Sequence, residues 1–451
     1  MSNAFSLSYR DENGLFKIAL SALLIWPFAL MMGIAAVDIA STTIGVLFLV
    51  SSYIKKDFHW LKESWFKVFL ILWAYMIIRG FFTPKPIASM TQSFVFIRYA
   101  LLTIALEYWL LTKASVRQAL VLTLLATLIF ATLNGLIQLV FFKDLFGNPI
   151  WPIDTSHSLT DFFGRQVHPV DYAHTWRLTG ISGKVDVGAK FMMVMFPAIA
   201  YLLYKFQEKS SSILLKCLSF ASIISFVLFV ELTGERNATL ETALGLVLLF
   251  FMCKSYRKTL VPLGIVILIC TALLFKLLPG LMERGVSLLN VVNGVTHLDK
   301  KGDAVSYTSL MQTNWNIFVK NPIFGVGRTQ YKAYCDQADK RIAVMKKDIG
   351  VCVTNPQNVY FEWLDETGII GFILFLSIPF LWFRQCYKKR ALLISSIVII
   401  GVFIEIILRL WPLASSSSIF FAWCGGPLWL MAGWVLAFVN NPNEKRSHEK
   451  R

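Results

Sequence analysis

Charge is the first thing this sequence has little of. Only 16% of its 451 residues are Asp, Glu, Lys or Arg, while 56% are hydrophobic, against roughly 25% and 45–50% in ordinary soluble domains. With a mean hydropathy of +0.61, the chain falls outside the soluble range and reads as an integral membrane protein. Metal patterns are missing as well. None of the seven cysteines forms a Cys-x-x-Cys pair or stands at metal spacing from a histidine. Also absent are the short alternating segments of a transmembrane β-barrel, any internal repeat and any low-complexity tract. No small-x-small cleavage site follows the first apolar run, which is therefore read as a retained anchor and not as a signal peptide.

What is present is a series of apolar runs, each near the roughly 20 residues that cross a hydrocarbon core. They lie near residues 16–37, 39–54, 66–82, 94–111, 119–142, 187–204, 213–230, 240–253, 260–278, 369–383, 392–408 and 419–439. An all-α membrane protein of about twelve helices is expected. It divides into a bundle over 1–278 with an aromatic loop at 143–186, a polar helical insert over 279–368 between the ninth and tenth spans, three further spans over 369–439, and a basic tail over 440–451.

The formal charge of +16 raises the possibility of nucleic acid binding, but the basic residues fall in alternate short loops. Lys55, Lys62, Lys113, Arg117, Lys205, Lys254, Arg384, Lys389 and Arg451 all belong to one side, the positive-inside pattern of membrane topology. Both termini are then cytoplasmic. The 143–186 loop, the turn at Glu231–Asn237 and the insert face the other, exoplasmic side. Within the insert, Cys335 and Cys352 form either a disulfide, which an oxidising compartment favours, or two free thiols. Inside the spans, Arg98 and Glu107 face a bundle interior or, for Arg98, snorkel to the interface; Glu405 and Arg409 have the spacing of a simple i,i+4 pair.

Three stretches on the exoplasmic side hold candidate chemistry. The 143–186 loop carries Phe146, Trp151, Phe162, Phe163, Tyr172 and Trp176 with His157, His168 and His174. These aromatics suit stacking on sugar rings or an interfacial belt, and the histidine spacing does not make a metal site. It closes in Arg177-Leu-Thr-Gly-Ile-Ser-Gly-Lys184. The turn Leu232-Thr-Gly-Glu-Arg-Asn-Ala-Thr239 places Arg236 at the start of a helix, where backbone N–H groups and the dipole favour an anion. Arg236 there either holds a diphosphate through its planar fork, or snorkels to headgroups, or pairs with Glu231, Glu235 or Glu241. In the insert, Tyr307, Leu310, Met311, Trp315 and Phe318 recur at helical spacing and Asn321-Pro322 closes the helix. A turn at Gly325-Val-Gly327 follows, then a second helix carrying Tyr331, Tyr334, Ala338, Ile342 and Met345. A third is expected from Asn355 as N-cap and Pro356 as first residue, ending near Gly368.

Taken together, Arg177-Leu-Thr-Gly-Ile-Ser-Gly, Thr233-Gly-Glu-Arg236, Asn321-Pro-Ile-Phe-Gly-Val-Gly327 and Pro356-Gln-Asn-Val-Tyr-Phe-Glu-Trp-Leu-Asp-Glu-Thr-Gly-Ile-Ile-Gly371 resemble the O-antigen ligase and O-antigen polymerase superfamily of bacterial envelope glycosyltransferases. The resemblance spans residues 177–383 at motif level. It implies a helical, GT-C-like enzyme of the inner membrane whose active site faces the periplasm. Its donor would be a polyprenyl-diphosphate-linked glycan and its acceptor a sugar hydroxyl of lipid A–core or of another lipid-linked glycan. Transfer would invert the anomeric carbon without a cofactor or metal, amid membrane lipids and with no nucleic acid partner. By position, Arg236 matches the arginine expected to hold the diphosphate, Arg177 a second basic position, and Lys184 adds charge beside it.

Two departures from the family pattern matter. Where the family has His-Asn-x-x-Leu, this chain has Gln357 before Asn358, and a glutamine cannot accept a proton at neutral pH. A family arginine at the start of the first insert helix is replaced by Tyr307, a loss that Arg328, Arg341 or Lys184 could offset. Catalysis would then rest on positioning by Gln357 and Asn358, or on a base recruited from His168, His174 or Glu362, or the activity has diverged. Glu366 and Gly368 match the family's Glu-x-Gly, read as a helix end and turn. A glycan ligase is favoured over a polymerase, with a lipid-linked oligosaccharide flippase and an inactive scaffold as other readings. A transferase should gather Arg177, Arg236 and Gln357 around one exoplasmic pocket; a flippase should show a charged cavity at mid-membrane.

Overall fold

The computed structural model describes residues 14–150, 159–160, 166–167, 177–184, 186–278, 307–335, 354–415 and 417–441. Sixteen α-helices among the described residues carry the fold. They are α1 (Gly14–Met32), α2 (Ile34–Lys55), α3 (Ser64–Phe81), α4 (Pro86–Val95), α5 (Ile97–Ala105), α6 (Ala114–Phe141), α7 (Val187–Met192) and α8 (Met195–Gln207), then α9 (Ile213–Leu232), α10 (Arg236–Met252), α11 (Arg257–Leu277), α12 (Tyr307–Lys320), α13 (Val359–Lys388), α14 (Arg390–Leu393), α15 (Ile397–Arg409) and α16 (Ala422–Asn440). The only paired strands among the described residues are a two-residue antiparallel ladder, Leu159 opposite Val167.

Nine helical segments among the described residues are long and apolar enough to cross a membrane, which makes this an all-α membrane protein. The expected count of about twelve differs because three runs do not form long helices. The run at 187–204 breaks between α7 and α8, since Pro197 has no N–H and its ring meets the carbonyl of Met193, four residues back. The run at 392–408 breaks into α14 and α15, where the Ser395 hydroxyl takes the Leu392 carbonyl (2.6 Å). The run at 240–253 forms α10, only 17 residues long. The first two spans meet at Gly33, between Met32 and Ile34, and not between residues 37 and 39.

At the centre lies α16, whose described span is 94% buried, with Trp429 and Trp434 among the largest fully buried side chains. A helix apolar all round with no lipid-facing stripe is the middle of the bundle. Charges inside the spans are paired: Arg98 on α5 meets Asp38 on α2 at 2.9 Å, and Glu107 accepts from Asn440 (2.6 Å). The expected Glu405–Arg409 pair does not form. Arg409 instead binds Glu241 on α10, and Glu405 accepts from the N–H of Phe196 (2.9 Å) that the break before α8 leaves orphaned.

The insert is tied to the bundle by backbone. Helix α13 runs through the expected border at residue 368 but is kinked there, at Gly368 (φ 66°, ψ −172°). The carbonyls freed by the kink accept from the Asn321–Gly327 segment: Val326 N–H donates to Asp365 O (2.7 Å) and Gly327 N–H to Glu366 O (2.9 Å), while Ile369 N–H donates to Pro322 O (2.9 Å). Arg79 of α3 holds the Gly325 carbonyl (2.8 Å) and Tyr75 the Thr367 carbonyl (2.7 Å). The Glu-x-Gly thus closes one helical segment and turns the chain into the next, as its reading as a helix end and turn expected. Arg328 does not supply cavity charge: it is buried against Glu366 (2.5 Å) and over the Phe420 ring. The N-cap of α13 is Asn358, not Asn355; its side chain accepts from Tyr360 N–H (3.0 Å). Cys335 is disulfide-bonded; Cys352, and most of the expected second insert helix after Cys335, lie outside the described residues.

A Cβ at position 368 would sit 2.2 Å from Ile323 O, in a backbone region that costs non-glycine residues about 1–3 kcal/mol before any clash. Gly368→Ala is therefore expected to lower the thermal midpoint in detergent by several degrees or more. An unchanged melting curve would show that the kink is not held by this packing.

Candidate functional site

The loop that enters the site is pinned from α6. Gln138 accepts from the N–H groups of Thr179 (3.1 Å) and Gly180 (3.2 Å), and Asn148 donates to Ile181 O (3.0 Å). The chain then turns into α7, whose first residues lie on the Thr233–Glu235 turn that ends α9. Contact is so close that a Cβ on Gly188 would fall 2.2 Å from Thr233 Oγ1. Glu235 reaches across and accepts from Gly188 N–H and Ala189 N–H, both at 3.0 Å. Two sequence motifs far apart in the chain are thus joined by one carboxylate.

Around this junction lies a cavity of about 550 Å³, lined by Arg177, Arg236 and Gln357 together with Asp186, Arg409, Trp423 and the Ser415 and Ser417 backbone turn. The volume is within the roughly 300–1,000 Å³ of small-molecule sites. It stands at the N-terminal ends of α10 and α16 and the C-terminal end of α15. A second cavity, lined by Arg117, Tyr201, Lys205, Tyr256, Ser396 and Phe438, lies at the opposite ends of α15 and α16.

Each acidic residue that could have neutralised Arg236 is engaged elsewhere. Glu231 accepts from Thr271 (2.9 Å). Glu235 caps α7 and faces Arg177 at 3.9 Å. Glu241 pairs with Arg409 and accepts from Asn237 (2.5 Å). Among the described residues Arg236 has neither an ion-pair nor a hydrogen-bond partner, and its side chain is exposed to the cavity. Burial pulls the pKa of Arg177 below its ordinary value; Glu235 opposes this and the nearby charge of Arg236 adds to it. The two guanidinium groups therefore repel each other, which an anion placed between them would relieve.

Gln357 faces these arginines with a left-handed backbone, φ 51°, uncommon for a residue other than glycine. An Asx turn from Asn355, whose Oδ1 accepts from Gln357 N–H (3.0 Å), and the Asn358 cap hold it there. Its side-chain amide has no partner among the described residues. Asn358 does not line the cavity. Its carboxamide is taken by the α13 cap and by Pro412 O (2.8 Å), a structural role. Glu362 is also outside the lining, buried and accepting from Ile419 N–H (2.9 Å). Lys184 is exposed and does not line the cavity. His168, His174 and Arg341 lie outside the described residues.

Asp186, Arg409 and Trp423 were not singled out for this site from the sequence. Arg409 was hidden by its spacing from Glu405, and Asp186 by standing in an apolar context with no motif partner. The serine run at 415–418 offered a weak signal: Ser415 N–H donates to Asn237 Oδ1 (3.0 Å) beside Arg236.

Residues 218–376 match the family model described as O-antigen ligase. Over this stretch the chain is similar to the O-antigen ligase superfamily. The matched stretch holds Arg236 and Gln357 but not Arg177 or Asp186. Among curated proteins none matches the chain.

Glu235 is raised from an ordinary 4.5 to about 7, by burial first, against the opposing effects of Arg177 and of the Gly188 and Ala189 N–H groups; the charge of Asp186 adds to the rise. Because the folded state holds the proton more tightly, the contribution of this group to stability falls as pH rises from its unfolded value through about 7 and is level above that. Below 7 the group is neutral and the cavity more cationic. Binding of a diphosphate diester, whose own charge is constant in this range, is expected to weaken a few-fold between about pH 6 and about pH 8. Titration calorimetry of the detergent-solubilised protein checks this, and Glu235→Gln should flatten the dependence.

Proposed function

We propose that the chain is a membrane glycosyltransferase that moves a polyprenyl-diphosphate-linked glycan onto an acceptor sugar hydroxyl, of the ligase type with lipid A–core as acceptor. The observation that carries this reading is the convergence of Arg177, Arg236 and Gln357 on one cavity in which Arg236 has no partner among the described residues. The diphosphate would lie between the two arginines, whose fixed charges stabilise the leaving group as the glycosidic bond breaks. Gln357 would orient the acceptor or the first sugar by hydrogen bonding, and Trp423 offers an aromatic face for a sugar ring.

Sidedness supports the same reading. The cavity lies at the ends of α9, α10 and α15 away from the basic residues Lys209, Lys216, Lys254 and Arg390, so under the positive-inside rule it faces the exoplasm, here the periplasmic side of a bacterial inner membrane, with both termini cytoplasmic. The flippase reading calls for a charged cavity at mid-membrane, whereas Arg98, Glu107 and Arg409 are each drawn into a side-chain pair.

The test is transfer in vitro from a purified polyprenyl-diphosphate glycan, offered with lipid A–core or alone. Product on lipid A–core is expected, and Arg236→Ala should reduce the rate by roughly 10²-fold, the scale of losing one charge-stabilising group. Lengthening of the donor in the absence of lipid A–core would make the enzyme a polymerase. No product from wild-type protein that binds donor would exclude transfer.

A further inference from the structure

Inverting transfer needs a group to take the acceptor proton, and Gln357 cannot. Of the candidate bases, Glu362 is buried outside the cavity against Ile419 N–H. The carboxylates that line the cavity among the described residues are Asp186 and Glu235. Glu235 has both oxygens on main-chain N–H groups of α7 and faces Arg177, so it holds the scaffold together.

Asp186 stands at the N-cap of α7, where an aspartate ordinarily turns its side chain onto the N–H groups of the second or third helical residue. Here those groups, Gly188 and Ala189, are taken by Glu235 from another helix, and Asp186 makes no side-chain cap. Its carboxylate is thereby released toward the cavity. One oxygen, Oδ1, is buried and lies 2.8 Å from Lys190 Nζ, an ammonium whose side chain is only 1% exposed. Lys190 also reaches Ser182 Oγ (3.4 Å) and sits over the Trp423 ring. A lysine this buried is expensive unless paired, and among the described residues its acidic partner is Asp186. The Asp186 side chain is 25% exposed and lines the cavity, while Oδ1 is covered. This is the arrangement of a base oriented by a second charged group.

Resting on the transferase reading above, we propose that Asp186 is the general base of this enzyme, held in place by Lys190, in the role that a histidine at position 357 would otherwise fill. In the step, Oδ2 of Asp186 takes the proton of the acceptor hydroxyl while that oxygen bonds to the anomeric carbon. The bond from that carbon to the diphosphate oxygen breaks, its electron pair stays on the diphosphate, and Arg236 and Arg177 stabilise the added negative charge. The proton then leaves Asp186 for the departing polyprenyl diphosphate or for water, which restores the carboxylate.

Asp186→Asn keeps shape and removes the basicity. It is expected to lower the transfer rate at saturating substrates by roughly 10²-fold or more, while the affinity for labelled polyprenyl-diphosphate glycan stays within about threefold of wild type. Because Asp186→Asn leaves the Lys190 ammonium buried without its partner, the double variant Asp186→Asn with Lys190→Met tests the same point in a neutral setting; it should melt near wild type, bind donor and remain as slow. Asp186→Glu should recover part of the rate. If either Asn variant, folded and binding donor, transfers within about tenfold of wild type, Asp186 is not the base. If wild type binds donor yet transfers to neither acceptor, the functional reading fails and the assignment falls with it.

Discussion

A helix that breaks inside a membrane protein leaves N–H and C=O groups that no water is at hand to satisfy, and each must find a partner within the protein. At three such N–H ends the partner is a carboxylate from elsewhere in the chain. Glu235 caps α7, Glu405 caps α8 at Phe196, and Glu362 takes Ile419 before α16. At the Gly368 kink the orphan carbonyls are met by the backbone of the Asn321–Gly327 segment. Broken helices give the cavity its irregular walls, and buried acids make those breaks tolerable.

The electrostatics follow from this. With Glu235, Glu362 and Glu405 committed to backbone and Glu241 to Arg409, little negative charge remains to neutralise the cavity. Arg236 is left exposed to it, beside Arg177, which faces Glu235 at 3.9 Å and donates to the Thr233 carbonyl (3.3 Å). A pocket that keeps two guanidinium groups near each other is destabilised when empty and relieved by a polyanion. The same capping by Glu235 displaces Asp186 from the helix end it would otherwise serve. One hydrogen-bonding choice at α7 therefore shapes both the anion site and the carboxylate facing it.

Much of the fold was legible in the chain. Apolar length marked most of the spans, and Arg236 was recognisable because it follows a glycine turn at a helix start. Misread features share a cause. Pro197 and the Ser395–Ser396 pair break helices inside runs whose hydropathy is continuous, and the i,i+4 spacing of Glu405 and Arg409 hid that each is drawn away by a partner more than a hundred residues distant. Asn358, which the motif presented as part of the chemistry, serves as the cap of α13.

The sequence by itself determined that this is a helical membrane protein with a polar insert and a basic turn suited to an anion, because hydropathy, charge asymmetry and glycine placement act locally. Only the tertiary structure decided which carboxylate answers which cation or backbone group. That pairing depends on burial and on orphaned N–H groups contributed by helices remote in the chain. It leaves Arg236, Gln357 and Asp186 lining the same cavity.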